Sequence, residues 1–167
     1  AKWAKQKNYK NHYYISPQIW ASRAKRVHAI KRDVNAVFVI LPFVKEFYKK
    51  YDVEVDFVGH PLIDAIVQRD QVDETNFRRQ NNLNEKPIIA LLPGSRKQEI
   101  SAMLSGMLSL VDDFKEYQFV IAGAPSQDYD FYQTFVKGQN VEFIENQTYA
   151  LLSIATAALV TSGTATL

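Results

Sequence analysis

The sequence predicts an α/β chain made of two parallel-sheet halves. Short apolar runs without alternation, Val34 to Leu41, Ile88 to Leu92 and Phe119 to Ala122, suit strands buried on both faces. Between such runs lie stretches with helical spacing, clearest at Ile100, Met103, Leu104, Met107, Leu108 and Val111. The alternation stops over a polar stretch, residues 68–86, and then restarts. Strand, helix and strand at this spacing mean βαβ units. The division expected is 1–67, a linker at 68–86, and 87–167.

In chain order, Ala1 to Lys10 reads as the tail of a helix. His12 to Ile15 is an aromatic, β-branched run and is expected as a strand. Ser16-Pro17 has the chemistry of a helix start, with Ser as cap and Pro at the first helical position. A helix is therefore expected from there to about Arg32. After the strand at 34–41, Pro42 opens a helix whose Phe43, Phe47, Tyr48 and Tyr51 are expected in the core. Val53 to Val58 alternates apolar with acidic residues and is expected as a third strand. Gly59-His60-Pro61 breaks it, and a lone His there is weighed as structural before catalytic. Ile63, Ile66 and Val67 continue briefly as helix. Within the polar stretch a short helix over 73–80 is expected, capped by Asp73 or Thr75.

The second half opens with the strand at 88–92 and a helix running to about Phe114. Strands follow at 117–123, 141–144 and 157–160, with helices at 129–137 and 147–154. Gly123-Ala124-Pro125-Ser126 forms another turn at a strand end.

Composition narrows the function classes. Of 167 residues, 47% are apolar and 23% charged, a globular balance. There is no cysteine, which excludes disulfides and thiolate chemistry. No apolar run approaches the length of a membrane span, and no signal peptide is visible. Residues 1–35 hold nine Lys and Arg against one acid, Asp33, a net +8; the rest carries −6. The basic end favours an anionic partner, whether a phosphorylated substrate, an acidic membrane surface or nucleic acid; a solvated helix face is the plain alternative.

The stretch with chemistry is Pro93-Gly94-Ser95-Arg96. It lies where a buried strand ends and an amphipathic helix begins. Free backbone N–H groups and the helix dipole attract an anion there. Ser95 adds a hydroxyl and Arg96 a forked cation that matches phosphate oxygens. The stretch is neither a Walker A loop nor a G-x-G-x-x-G fingerprint. Ser162-Gly163-Thr164 sits beyond another strand and repeats the design. Two such turns along one sheet edge are where open α/β sheets bind ligands.

Five stretches, taken together and in order, resemble the lipid-A-disaccharide synthase family. They are Tyr14 to Ala21, Leu41-Pro42-Phe43, Phe57 to Asp64, Leu91 to Arg96 with Glu99, and Thr161 to Leu167. The resemblance implies two Rossmann-like parallel-sheet halves of the GT-B glycosyltransferase type, both incomplete in this chain. It implies transfer of a diacylated glucosamine from its UDP carrier to a lipid monosaccharide-1-phosphate, without metal or cofactor. It places the reaction at the cytoplasmic face of the bacterial inner membrane, on an anionic lipid surface, and no nucleic acid is expected. Gly94, Ser95 and Arg96 would hold the UDP diphosphate, with Arg96 also catalytic, and Ser162, Gly163 and Thr164 would line the nucleotide. Ser16, Gln18 and Trp20 would belong to the acceptor side. Nothing here corresponds to the family's general-base Asp, and the helix that Thr164 should begin is missing. The chain is therefore expected to be an internal fragment, inactive alone. Two other readings stay open: a non-catalytic phosphate- or nucleic-acid-binding module, and another UDP-sugar enzyme of similar architecture.

Overall fold

The computed structural model describes residues 1–69, 71–161 and 163. It divides into two compact units, Ala1–Arg69 and Asp70–Leu167.

The first unit holds β1 (His12–Tyr14), β2 (Ala36–Val39) and β3 (Asp56–Phe57) in that spatial order, all parallel. Helices α1 (Lys2–Gln6), α2 (Val27–Asp33), α3 (Pro42–Lys49) and α4 (Pro61–Val67) accompany them. Ile19, Val27, Val37, Val39, Val44 and Tyr48 form its buried core. Pro42 starts α3 as expected, because its fixed φ suits the first helical position and that position needs no donor.

Three expectations in this unit need correction. Ser16-Pro17 does not start a helix. Ile15 and Arg23 both take left-handed backbone angles, φ 55° and 60°, so the chain bends through 15–23 and buries Ile19. Helical structure begins only with a short 3₁₀ turn, Ala24–Arg26, that leads into α2. The third strand shrinks to two paired residues, since Asp56 and Phe57 alone face β2 at the sheet edge. Of the α3 aromatics, Tyr48 is fully buried, but Phe43 is half exposed and stands edge-on to Trp20, with ring centroids 4.9 Å apart.

The second unit is the larger sheet. β4 (Ile88–Leu92), β5 (Gln118–Gly123), β6 (Val141–Glu145) and β7 (Ala157–Val160) lie in the order β6-β5-β4-β7, all parallel. α6 (Lys97–Leu108) and α7 (Tyr129–Val136) cover one face; α5 (Glu74–Gln80) and α8 (Thr148–Ile154) cover the other. β4 shows why its run is apolar throughout. Ile88, Ala90 and Leu92 pack with Phe77 and Leu151, while Leu91 packs with Ile100 and Leu104. Alternate residues meet opposite layers, and all but the partly buried Ile89 are buried.

Residues 71–86 are not a free connector, despite their polarity. Phe77 and Leu83 are buried in the second unit's core. Buried Arg78 binds the Glu74 carboxylate and the backbone carbonyls of Asn84 and Lys86. Asp73 caps α5 by accepting from the Asn76 N–H at 3.1 Å, the chemistry its residue type foretells. α6 ends at Leu108, earlier than its apolar spacing suggested. There the bonds tighten to Leu110 N–H on Met107 and Val111 N–H on Leu108, the 3₁₀ pattern common at helix ends.

Gly123 ends β5 beneath the Phe143 ring, and a Cβ built there would overlap that ring. Tyr129 and Tyr132 pack on Phe143 at 5.1 and 4.9 Å, which limits how far the ring can shift. Gly123→Ala is expected to destabilise the second unit by about 1–3 kcal/mol, the usual range for overpacking. Leu104→Ala, at a fully buried α6 position, is expected to cost about 2–5 kcal/mol. Urea unfolding followed by circular dichroism checks both.

Candidate functional site

The carboxyl edge of the larger sheet opens into a cleft of about 520 Å³. Its walls come from the turns after β4, β5 and β7. Gly94, Ser95 and Arg96 lie on one side, Ala124 and Pro125 on another, and Thr161 and Gly163 on a third. The strand order explains the location. The chain runs outward from β4 to β5 and β6, then returns on β4's other edge as β7. That reversal is where an open α/β sheet leaves a crevice above its strand ends. Ser162 and Thr164, the other expected nucleotide contacts, lie outside the described residues.

The β4–α6 turn is built around Gly94. Its φ is +110°, a left-handed value that favours glycine, and a Cβ there would lie 2.8 Å from the Cβ and Oε2 of Glu99. Arg96 then takes extended angles as the residue before α6. The turn's amides are not vacant. Oε2 of Glu99 accepts from the N–H groups of Ser95 and Arg96 at 3.2 and 3.3 Å. Oε1 accepts from Nη1 of Arg96 at 3.0 Å. A glutamate three residues into a helix, reaching back to the N-cap amide, is half of a capping box. The Ser95 amide holds the Glu99 carboxyl below its ordinary value most strongly; the Arg96 amide adds to this, burial opposes it, and the guanidinium contributes less. The Arg96 side chain itself is 82% exposed.

The turn after β5 is tied to the turn after β4. Ser126 Oγ donates to the Ser95 carbonyl at 2.8 Å, and Gln127 Nε2 reaches the same oxygen at 3.3 Å. The loop is anchored behind by Ala124, whose N–H donates to the hydroxyl of fully buried Tyr132 at 3.0 Å. Across the cleft, Thr161 N–H donates to the Leu92 carbonyl, and Thr161 Oγ1 is buried with no partner among the described residues.

The acceptor-side residues fall in the first unit. Ser16 is buried, and its Oγ lies 3.4 Å from the Tyr48 hydroxyl that donates to it. It serves the core, and burial pushes the Tyr48 phenol upward. Gln18 and Trp20 are exposed and joined by Trp20 Nε1–H donating to Gln18 Oε1 at 2.6 Å. His60 caps α4, its Nδ1 accepting from the Leu62 N–H at 3.1 Å. Among the described residues no group of three or more His, Cys, Asp or Glu could hold a metal ion.

Of the residues expected at the nucleotide, the fold brings Gly94, Ser95, Arg96 and Gly163 to one cleft. Sequence reasoning did not find the roles of Ser126, Gln127 and Thr161. The only signal for the first two was their place just after a strand-end Gly; Thr161 had its place just after the last strand.

The family model described as lipid-A-disaccharide synthetase matches residues 1–167. Lipid-A-disaccharide synthase 1 of Legionella pneumophila (strain Lens) is 40% identical over 174 residues, covering 100% of this chain and 45% of the relative. The synthase of Syntrophus aciditrophicus (strain SB) is 39% identical, covering 93% and 42%. That of Coxiella burnetii (strain Dugway 5J108-111) is 38% identical, covering 100% and 45%. The chain thus spans less than half the length of these relatives.

The Glu99 cap sets a pH dependence. Its folded value lies below the ordinary 4.5. Its contribution is therefore fully present above about pH 4.5 and is lost as pH falls through the lower folded value. Urea midpoints taken downward from about pH 6 should fall less steeply for Glu99→Gln than for the wild type below about pH 4.5. Parallel acid limbs would show that the carboxylate is not held by the turn.

Proposed function

The chain belongs to the lipid-A-disaccharide synthetase family, and from that premise we propose that it forms the nucleotide-sugar side and part of the acceptor side of a glycosyltransferase. Its relatives are named for making the lipid A disaccharide, so the donor proposed is a UDP-linked diacylglucosamine and the acceptor a lipid monosaccharide-1-phosphate. The observation that carries the reading is the cleft where the turns after β4 and β7 converge, bringing Gly94, Ser95, Arg96 and Gly163 together. Ser162 and Thr164 are proposed to complete the nucleotide's lining. Gln18 and Trp20 are the exposed candidates on the acceptor side.

In the reaction an acceptor hydroxyl attacks the anomeric carbon. The bond to the β-phosphate oxygen breaks, its electron pair leaves with UDP, and the hydroxyl proton passes to a base. Negative charge builds on the diphosphate, so a fixed cation beside it lowers the barrier. Arg96 is that cation. Its guanidinium is exposed at the cleft, and Glu99 fixes one of its N–H groups, which orients the fork. No helix among the described residues is long and apolar enough to cross a membrane. The basic first 35 residues suit peripheral contact with an anionic lipid surface, here proposed as the cytoplasmic face of the inner membrane.

In the full-length protein, Arg96→Ala should lower kcat/KM for transfer about a hundredfold or more. Arg96→Lys should recover part of it, since a point charge replaces the fork. Transfer left unchanged by Arg96→Ala overturns the assignment. Competition by UDP but not by RNA separates this reading from a nucleic-acid module, which would show a steep salt slope.

A further inference from the structure

We propose that Ser126 and Gln127 are positioning residues for the donor diphosphate, acting through the Ser95–Arg96 peptide rather than touching the ligand. This rests on the diphosphate being held at the β4–α6 turn.

The argument begins with the peptide plane. In a trans peptide the carbonyl oxygen and the following N–H point in opposite directions and cannot turn independently. The Ser95 carbonyl is gripped from one side by Ser126 Oγ at 2.8 Å and Gln127 Nε2 at 3.3 Å. The Arg96 N–H of the same peptide must therefore point the other way. It does, toward the Glu99 carboxylate at 3.3 Å, beside the Ser95 N–H at 3.2 Å. Two amides thus converge on one negatively charged oxygen. A phosphate oxygen that took the place of Glu99 Oε2 would meet the same two donors.

The donor chain has only one sense. The Ser126 hydroxyl spends its proton on the Ser95 carbonyl, so its oxygen is left to accept from Gln127 Nε2, which lies 3.2 Å away. The opposite orientation of the Gln127 amide would set its oxygen against the Ser95 carbonyl. The chain Gln127 to Ser126 to Ser95 is therefore polarised in one direction, and each bond strengthens the next. Gly94 makes such a clamp necessary. With φ at +110° and no side chain of its own, it does little to fix the peptides that follow. The clamp has a firm base, since Ala124 is bonded to the buried Tyr132 hydroxyl. Ala124 and Pro125 are among the cleft's wall residues, whereas Ser126 and Gln127 are not.

The test compares UDP with uridine, which lacks the phosphates, by calorimetric titration of the full-length protein. Wild type should prefer UDP. Ser126→Ala with Gln127→Ala should weaken UDP about tenfold, matching the ~1.4 kcal/mol of a lost oriented bond. Uridine affinity and the melting temperature should stay as in wild type. Ser126→Thr, which keeps the hydroxyl, should bind UDP like wild type. If the double variant melts early, the Ser126→Ala and Ser126→Thr pair carries the comparison alone, with the loss expected only for alanine. UDP affinity that survives the substitutions in a protein that prefers UDP overturns the clamp and leaves the donor-site reading standing. Parallel loss of UDP and uridine also overturns it, because a collapsed loop would do that. A wild type that binds uridine as well as UDP overturns both.

Discussion

The site depends on one strand having no exposed face or edge. β4 pairs with β5 on one side and β7 on the other, and α5, α6, α7 and α8 cover its two faces. Its end is therefore fixed in space, and Pro93 to Arg96 leave the sheet at a defined point. The same burial fixes α6. Ile100 and Leu104 are completely buried against Leu91, which sets the helix rotation. Glu99, next to Ile100, is carried to the turn by that rotation. Gly94 follows from it, since any Cβ would collide with Glu99. A chemical arrangement at the surface thus traces back to apolar packing beneath it.

The arrangement also sets an electrostatic problem. An anion at the Ser95 and Arg96 amides would meet the Glu99 carboxylate already seated there. Its bonds to the amides, at 3.2 and 3.3 Å, are somewhat longer than the 2.9–3.0 Å most common for an N–H on oxygen. The Nη1 of Arg96 is bonded to Glu99, and the rest of its side chain is exposed. An exposed ion pair of this kind is worth little to stability. Its value lies in holding the guanidinium in one orientation before a ligand arrives, which reduces the ordering cost of binding.

Much of the fold was legible because burial leaves a period in the sequence. β4 and β5 read directly from runs that face apolar layers on both sides, and α6 from its stripe. The failures have physical causes as well. Ser16-Pro17 carried helix-start chemistry, but burying Ile19 and turning Ser16 toward Tyr48 required two left-handed residues instead. Tertiary packing overrode local preference. The 68–86 stretch looked like linker because it is polar, with Val72, Phe77 and Leu83 its only large apolar residues. In place, Arg78 binds carbonyls and Gln118 accepts from the Asn84 N–H, so both are buried and satisfied. At the site, Gly94, Ser95 and Arg96 were readable from a strand–Gly–helix pattern. Ser126 and Gln127 were not, because their role depends on a bond spanning 31 residues, which no local pattern records.

Thr161 brings the cleft's two sides together. Its N–H extends the β4–β7 ladder by one bond to Leu92, so its position is fixed by the sheet. Its hydroxyl is buried in the cleft wall without a partner among the described residues. An unsatisfied buried polar group costs about 1–3 kcal/mol. A nonpolar side chain of similar shape would avoid that cost, and so would a ligand group that hydrogen-bonded the hydroxyl. The amides at Ser95 and Arg96 lie on one wall and the Thr161 hydroxyl on another, with the strand reversal between them. Polar groups converging from two sides of such a crevice suit a ligand with polar oxygens more than one atom apart, as a nucleoside diphosphate has.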